Sequence, residues 1–170
     1  MKSLSKEIYD ERTLLMVGVE NVMTVDYGHF LGNYDGKCNR LHYHTSWTSD
    51  LFVWGYKRKD ARMLIDYGVL KNFVKEELSA IDHKLVVKYE YVKEYSDNKI
   101  WIEYEGRKAE LFLTDVYVVP FDVTAENLAA YIVKNVFDKL PENVIKVQFK
   151  FREGVNNVVD ATMEREYVWE

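Results

Sequence analysis

Three observations predict an α+β chain in which a four-stranded antiparallel sheet carries two helices on one face. Leu70, Phe73, Val74, Leu78 and Ile81 recur at helical spacing, and Leu128, Tyr131, Ile132, Val136 and Leu140 do so again further along. Ile145, Val147, Phe149 and Phe151 then alternate strictly with Lys146, Gln148, Lys150 and Arg152, the period-two pattern of a half-buried strand. Helices and strands that each have one apolar face must bury those faces against one another, which gives a two-layer arrangement. A length of 170 residues fits one domain, 1–170. Aromatic residues reach 15%, with 13 Tyr and only 2 Pro, a bias that favours strands.

The elements follow in the order strand, strand, helix, inserted hairpin, helix, strand, strand. Leu14 to Asp26 is rich in strand formers, though its alternation is imperfect. The turn formers Gly32, Asn33, Asp35 and Gly36 lie between it and a second strand, Leu41 to Lys57, so the two are expected to pair as a hairpin. The first helix ends near Asp82-His83. Two apolar runs, Lys99 to Tyr104 and Ala109 to Val119, are split by Gly106-Arg107 and read as an inserted β-hairpin, 99–119. The second helix begins near Thr124 and is stopped by Pro141. After the alternating strand, Asn156-Asn157 turns the chain into a last strand, about Val158 to Val168.

Composition excludes several classes of function. A net charge of -5, with no basic stripe, argues against nucleic acid as a partner. No apolar stretch approaches the roughly 18 residues that span a membrane, and the N-terminal residues lack the apolar core of a signal peptide. The single cysteine, Cys38, cannot form an internal disulfide; a cytoplasmic location is expected.

The candidate chemistry lies in four histidines, one cysteine and a few carboxylates. His42 and His44 are spaced so that both imidazoles lie on one face of a strand, and a hairpin would bring His29 opposite them. Three nitrogen ligands with an open fourth position make a catalytic zinc site, and such nitrogen-rich sites favour Zn2+. The plainer reading is two ordinary strand residues. Cys38 is an inert thiol, a base or nucleophile beside Lys37 and a cation, or a fourth ligand. Asp82 beside His83 could orient the imidazole, or His83 could simply sit on a helix C-terminus. Glu153 follows Phe151 by two. On a continued strand it would stand on the apolar face and need donors, such as an aminopyrimidinone edge; in a turn it would be solvated. Thr124 and Glu126 could be no more than the cap and first turn of the second helix.

These residues together resemble a known family. Gly36-Lys37-Cys38-Asn39-Arg40-Leu41-His42-Tyr43-His44 resembles the Cys-x3-His-Gly-His signature of the 6-pyruvoyltetrahydropterin synthase and 6-carboxytetrahydropterin synthase family. Met63 to Lys71, Ile81-Asp82-His83-Lys84-Leu85, Thr124-Ala125-Glu126-Asn127-Leu128-Ala129 and Phe151-Arg152-Glu153 are similar to further family segments, in family order. All four histidines and the cysteine fall on family functional positions.

The resemblance implies the tunnelling fold and a homo-oligomer, a trimer or a hexamer, with active sites between subunits. It implies zinc on His29, His42 and His44. Cys38 would be the general base, working with Asp82 and His83. Glu153 would anchor a pterin, helped by Thr124 and Glu126. The implied activity is that of a lyase on 7,8-dihydroneopterin triphosphate, with 6-carboxy-5,6,7,8-tetrahydropterin on a 7-deazaguanine (queuosine-type) route as the expected product. The competing readings are a 6-pyruvoyltetrahydropterin synthase, which eliminates triphosphate, and a non-catalytic zinc-binding paralogue. A third relative type, which leaves a hydroxymethylpterin, usually has glutamate at the position of Cys38. Lys37 and Arg40 are candidates for the triphosphate. The chain departs from the family pattern at Tyr43 and Arg62, each in place of glycine, in the added hairpin and in a longer N-terminus.

Overall fold

The computed structural model describes residues 12–168. Its strands are β1 (Leu14–Val19), β2 (Thr24–His29), β3 (His42–Tyr56), β4 (Lys84–Lys88), β5 (Val92–Tyr95), β6 (Lys99–Tyr104), β7 (Arg107–Phe112), β8 (Val116–Val119), β9 (Val144–Glu153) and β10 (Asn157–Glu164). The helices are α1 (Tyr67–Ile81) and α2 (Ala125–Lys139). α2 begins beside Thr124, as the sequence predicts, and a side chain caps each helix. The Asp66 carboxylate accepts the Gly68 N–H at 2.6 Å, and the Thr124 hydroxyl accepts the Asn127 N–H at 3.2 Å. Such caps are worth about 1 kcal/mol each.

The α+β class holds, but the sheet is larger than four antiparallel strands. Seven strands run in the order β10-β9-β3-β2-β4-β8, with β1 also paired to β3. The pairs β2–β4 and β4–β8 are parallel, so the sheet is mixed. The expected strand from Leu14 to Asp26 is two strands on one long partner. β1 pairs with the far half of β3 and β2 with the near half. Between them Asn21 takes a left-handed φ of 47°, and its N–H reaches the Asp50 carboxylate at 3.0 Å. That bend, with a bulge between Val25 and Tyr27, is why the alternation is imperfect.

The inserted hairpin is also corrected. β6 and β7 do form a hairpin, through Glu105-Gly106, but β5 joins them in a separate three-stranded sheet. β8 belongs to the main sheet instead, where Val116 to Val119 pair with Leu85 to Lys88. The last strand stops at Glu164, earlier than expected.

Both helices pack on one face of the main sheet. Leu70, Val74 and Leu78 of α1 and Leu128, Ile132 and Val136 of α2 are wholly or almost wholly buried against Leu51, Val53, Val147, Phe149 and Phe151. Each such side chain contributes about 1.5–3 kcal/mol by leaving water. The small sheet lies on the other face. Val86 joins the helix-side core, whereas the next residue, Val87, packs with Phe30, Tyr91, Ile100, Ile102 and Val116. Adjacent strand residues point to opposite faces, so the insertion packs on the side opposite the helices, at the β4–β8 end of the sheet.

Candidate functional site

The register of β2 and β3 brings the histidine positions together. His29 is the direct partner of His42, and Tyr27 that of His44. Such partners lie about 4.5–5.5 Å apart between Cα atoms, and positions 27, 29, 42 and 44 share one face of the ladder. His29 is buried. The side chains of His42 and His44 lie outside the described residues. Among the described residues no three His, Cys, Asp or Glu side chains gather to hold a metal. The fit to zinc therefore rests on the donor chemistry at these paired positions: three imidazoles on two adjacent strands.

An aromatic chain leads away from His29. Its ring stands 5.4 Å from Tyr27, Tyr27 stands 5.1 Å from Trp47, and Trp47 stacks on Phe151 at 4.6 Å. Two residues beyond Phe151, Glu153 ends β9, paired to Trp47 on one side and Asn157 on the other. Gly154 turns the chain immediately afterwards with φ 61°. Glu153 is half-buried, so it is neither a core carboxylate nor a solvated turn residue. It lines a cavity of about 430 Å³ together with Trp47, Phe151, Ala125, Glu126 and Val158. Burial, and then the charge of Glu153, push the Tyr27 hydroxyl pKa far above its usual value. Tyr27 therefore stays a neutral phenol. Thr124 does not line the cavity; it caps α2.

Asp82 and His83 form a dyad at the end of α1. The Asp82 carboxylate stands 3.0 Å from His83 Nδ1, and its other oxygen accepts the Asp26 N–H at 3.0 Å. The His83 N–H donates to the Asp26 carbonyl at 2.7 Å, while the Asp26 carboxylate accepts the Ser46 N–H, also at 2.7 Å. His83 and Ser46 both adopt left-handed backbones, φ 58° and 65°, a cost that this network sustains. The His83 side chain is 71% exposed and Asp82 only 26%, so the imidazole is presented to solvent on a half-buried support. The sequence reading missed Asp26 and Tyr27. The one signal for Asp26 was a lone carboxylate inside an apolar strand run.

Cys38 lies in a single 3-10 turn, Lys37–Asn39, of the loop joining β2 to β3. It is half-buried, and its carbonyl accepts the Leu31 N–H at 2.8 Å. Among the described residues no hydrogen bond or ion pair joins Cys38 to Asp82 or His83. Lys37 and Arg40 flank it and are exposed. Tyr43, 58% exposed, stands opposite Gly28, so its bulk meets no side chain across the ladder. Arg62 is an exposed residue of the segment between β3 and α1. No helix of the described residues is long and apolar enough to cross a membrane.

Comparison with known proteins places the chain in a family. The family described as 6-pyruvoyl tetrahydropterin synthase matches residues 19–164. The 6-carboxy-5,6,7,8-tetrahydropterin synthase of Haemophilus influenzae is 31% identical over 123 residues, 69% of this chain and 79% of that protein. The Rickettsia typhi enzyme of the same name is 28% identical over 139 residues, 80% and 93% of the two chains. A putative one from Methanocaldococcus jannaschii is 29% identical over 126 residues, 69% and 77%. Among solved structures, the Plasmodium falciparum 6-pyruvoyl tetrahydropterin synthase superposes with a TM-score of 0.76 at 22% identity, covering 91% of this chain and all of the other. The Plasmodium vivax protein gives 0.76 at 16%, covering 90% and 99%. These two establish likeness of fold. The chain belongs to the 6-pyruvoyl tetrahydropterin synthase family and is an enzyme of that family, a tetrahydropterin-synthase-like lyase.

Proposed function

We propose that this chain is a zinc-dependent lyase acting on 7,8-dihydroneopterin triphosphate in the cytoplasm, forming 6-carboxy-5,6,7,8-tetrahydropterin on a 7-deazaguanine (queuosine-type) route. The observation that carries this is the continuity of the site. The paired positions of His29, His42 and His44 connect through Tyr27 and Trp47 to a cavity that ends in Glu153. A cavity of about 430 Å³ with aromatic walls and a convergent carboxylate is of small-ligand size.

In this reading the Glu153 carboxylate accepts from the ring N–H and amino group of the pterin, a paired hydrogen bond that fixes the ring's orientation. Trp47 and Phe151 give the ring an apolar wall. Glu126 adds a second carboxylate at the rim. Thr124 supports the same end by capping α2, and its hydroxyl proton remains available to an acceptor. His29, His42 and His44 would hold the zinc, which when bound supplies Lewis-acid polarisation of the substrate side-chain hydroxyls. Cys38 is the general base for the side-chain proton. Asp82 accepts from His83 Nδ1–H, which leaves Nε2 as the ring nitrogen that takes or gives a second proton. Lys37 and Arg40 are the cations for the triphosphate. The protein acts as a trimer or hexamer with its sites between subunits.

The names of the relatives favour the carboxy product, whereas the solved structures of like fold are pyruvoyl enzymes, so elimination of triphosphate is the second reading. A non-catalytic zinc-binding paralogue is the third. Mass spectrometry of the product formed by the zinc-loaded protein separates these. Carboxytetrahydropterin with acetaldehyde supports the first reading, and pyruvoyltetrahydropterin with triphosphate the second. A folded, zinc-bound protein that turns over nothing would overturn the substrate assignment.

A further inference from the structure

The small sheet does more than decorate the surface: its hairpin tip grips the loop that carries Cys38. The Glu105 carboxylate accepts the Asn33 N–H at 2.6 Å, and its two oxygens each lie 2.8 Å from Asn39 Nδ2. Arg107, on the other side of the turn, donates to the Asn39 carbonyl at 3.0 Å and to its side-chain oxygen at 2.9 Å. Asn39 is the immediate neighbour of Cys38 and closes the same 3-10 turn. The tip is thus bonded to the loop near its start, at Asn33, and near its end, at Asn39.

Apolar contacts extend the grip to the loop's first residues. Phe30, next to His29, stacks on Tyr104 with ring centroids 3.7 Å apart and planes 14° from parallel. Gly32 lies so close to Tyr91 that a Cβ there would stand 2.3 Å from the tyrosine oxygen. The turn itself supports the argument. Glu105 and Gly106 have φ of 48° and 76°, the two positive angles of a type I′ hairpin turn. Such turns favour Asn, Asp or Gly at the first position. A glutamate there carries a local conformational cost, and its carboxylate is the group that holds the loop.

We propose that the inserted three-stranded sheet is a positioning element for Cys38, acting through Glu105 and Arg107 on Asn39. They are positioning residues and touch no reacting atom. The catalytic consequence rests on the assignment of Cys38 as the general base; the structural one does not.

Cys38 is the chain's single cysteine, so alkylation of the whole protein by iodoacetamide reports this loop alone. Glu105→Ala and Asn39→Ala are each expected to speed alkylation about fivefold, as easier local opening of the loop would do. The double variant should fall short of the two single effects combined, because both substitutions remove the shared contact between Glu105 and Asn39. In the zinc-loaded enzyme kcat should fall with KM little changed, and Glu105→Gln, which keeps an acceptor oxygen, should recover part of it. Glu103→Ala, on the same hairpin but paired with Lys108, should leave both readouts at wild-type values. Wild-type alkylation rates in folded Glu105→Ala and Asn39→Ala proteins, or single effects that add in the double variant, would overturn the proposal. Asn39→Ala leaves the insertion untouched and decides the matter if Glu105→Ala does not fold. Alkylation needs no substrate, so its outcome is independent of the substrate assignment.

Discussion

Glu153 ends a strand whose preceding Phe151 is wholly buried, whereas Cys38 sits half-exposed in a loop fastened by the carboxylate of a neighbouring hairpin. Around Glu153, Trp47 and Phe151 belong to the main core, so the cavity wall has the stability of the fold itself. Around Cys38 the contacts are polar, between residues 66 to 72 positions apart, and close to solvent. The difference teaches that the proposed pterin pocket and the proposed general base are held by independent means. Packing defects should unfold the first; loss of a few hydrogen bonds should detune the second and leave the fold in place.

The largest effect should come from breaking the cavity wall. Phe151→Ala is expected to cost about 3–5 kcal/mol, the range for removing a buried aromatic ring, and to lower the melting temperature accordingly. A near-wild-type melting temperature would mean that the cavity wall is not part of the core. Next comes the dyad. Asp82→Asn keeps an oxygen for the Asp26 N–H but removes the charge beside His83, so kcat should drop about 10²-fold with little change in melting. An unchanged kcat would remove His83 from the proton path.

A third test uses acid on the opposite face of the sheet. Burial would raise the pKa of the Asp50 carboxyl, but the Arg152 guanidinium at 2.5 Å and the Asn21 N–H outweigh it and hold the pKa below the usual value. A depressed folded-state pKa contributes stability above the unfolded value of about 4, and that stability is lost as pH falls through the folded value. Asp50→Asn should therefore cost about 1–2 kcal/mol at neutral pH, and its gap from wild type should shrink as the solution is acidified. A gap independent of pH would contradict the ion pair. The smallest effect is Gly32→Ala. The added methyl must displace Tyr91 at a cost of about 1 kcal/mol, and it should speed Cys38 alkylation as Glu105→Ala does. An unchanged alkylation rate would confine the grip to the polar contacts.

What the sequence made legible follows from the range of the interactions. α1, α2 and β9 were readable because caps, periodicity and alternation are local signals. The hairpin β2–β3 was readable too, and with it the juxtaposition of the positions of His29 and His42. The break between β1 and β2 was not, because only the long partner β3 shows that one apolar run serves two strands. β4 and β8 were missed as sheet members because short apolar runs such as Leu85-Val86-Val87 carry no sign of parallel pairing. At the site, Asp82 beside His83 was visible as a dipeptide. Asp26, which braces the pair from 56 residues away, was not. Thr124 read equally well as a cap and as a ligand, and the structure gives it the cap. The grip of Glu105 on Asn39 lay beyond any motif.

The most direct measurement is turnover and metal content of Cys38→Ala beside wild type, both zinc-loaded, with 7,8-dihydroneopterin triphosphate. The account predicts that turnover falls about 10²–10⁴-fold while zinc content and oligomeric state stay unchanged, because the strand positions proposed to hold the ion are separate from the loop proposed to supply the base. Undiminished turnover would contradict the assignment of Cys38 as base, and loss of zinc with turnover would make Cys38 a ligand and dissolve that separation.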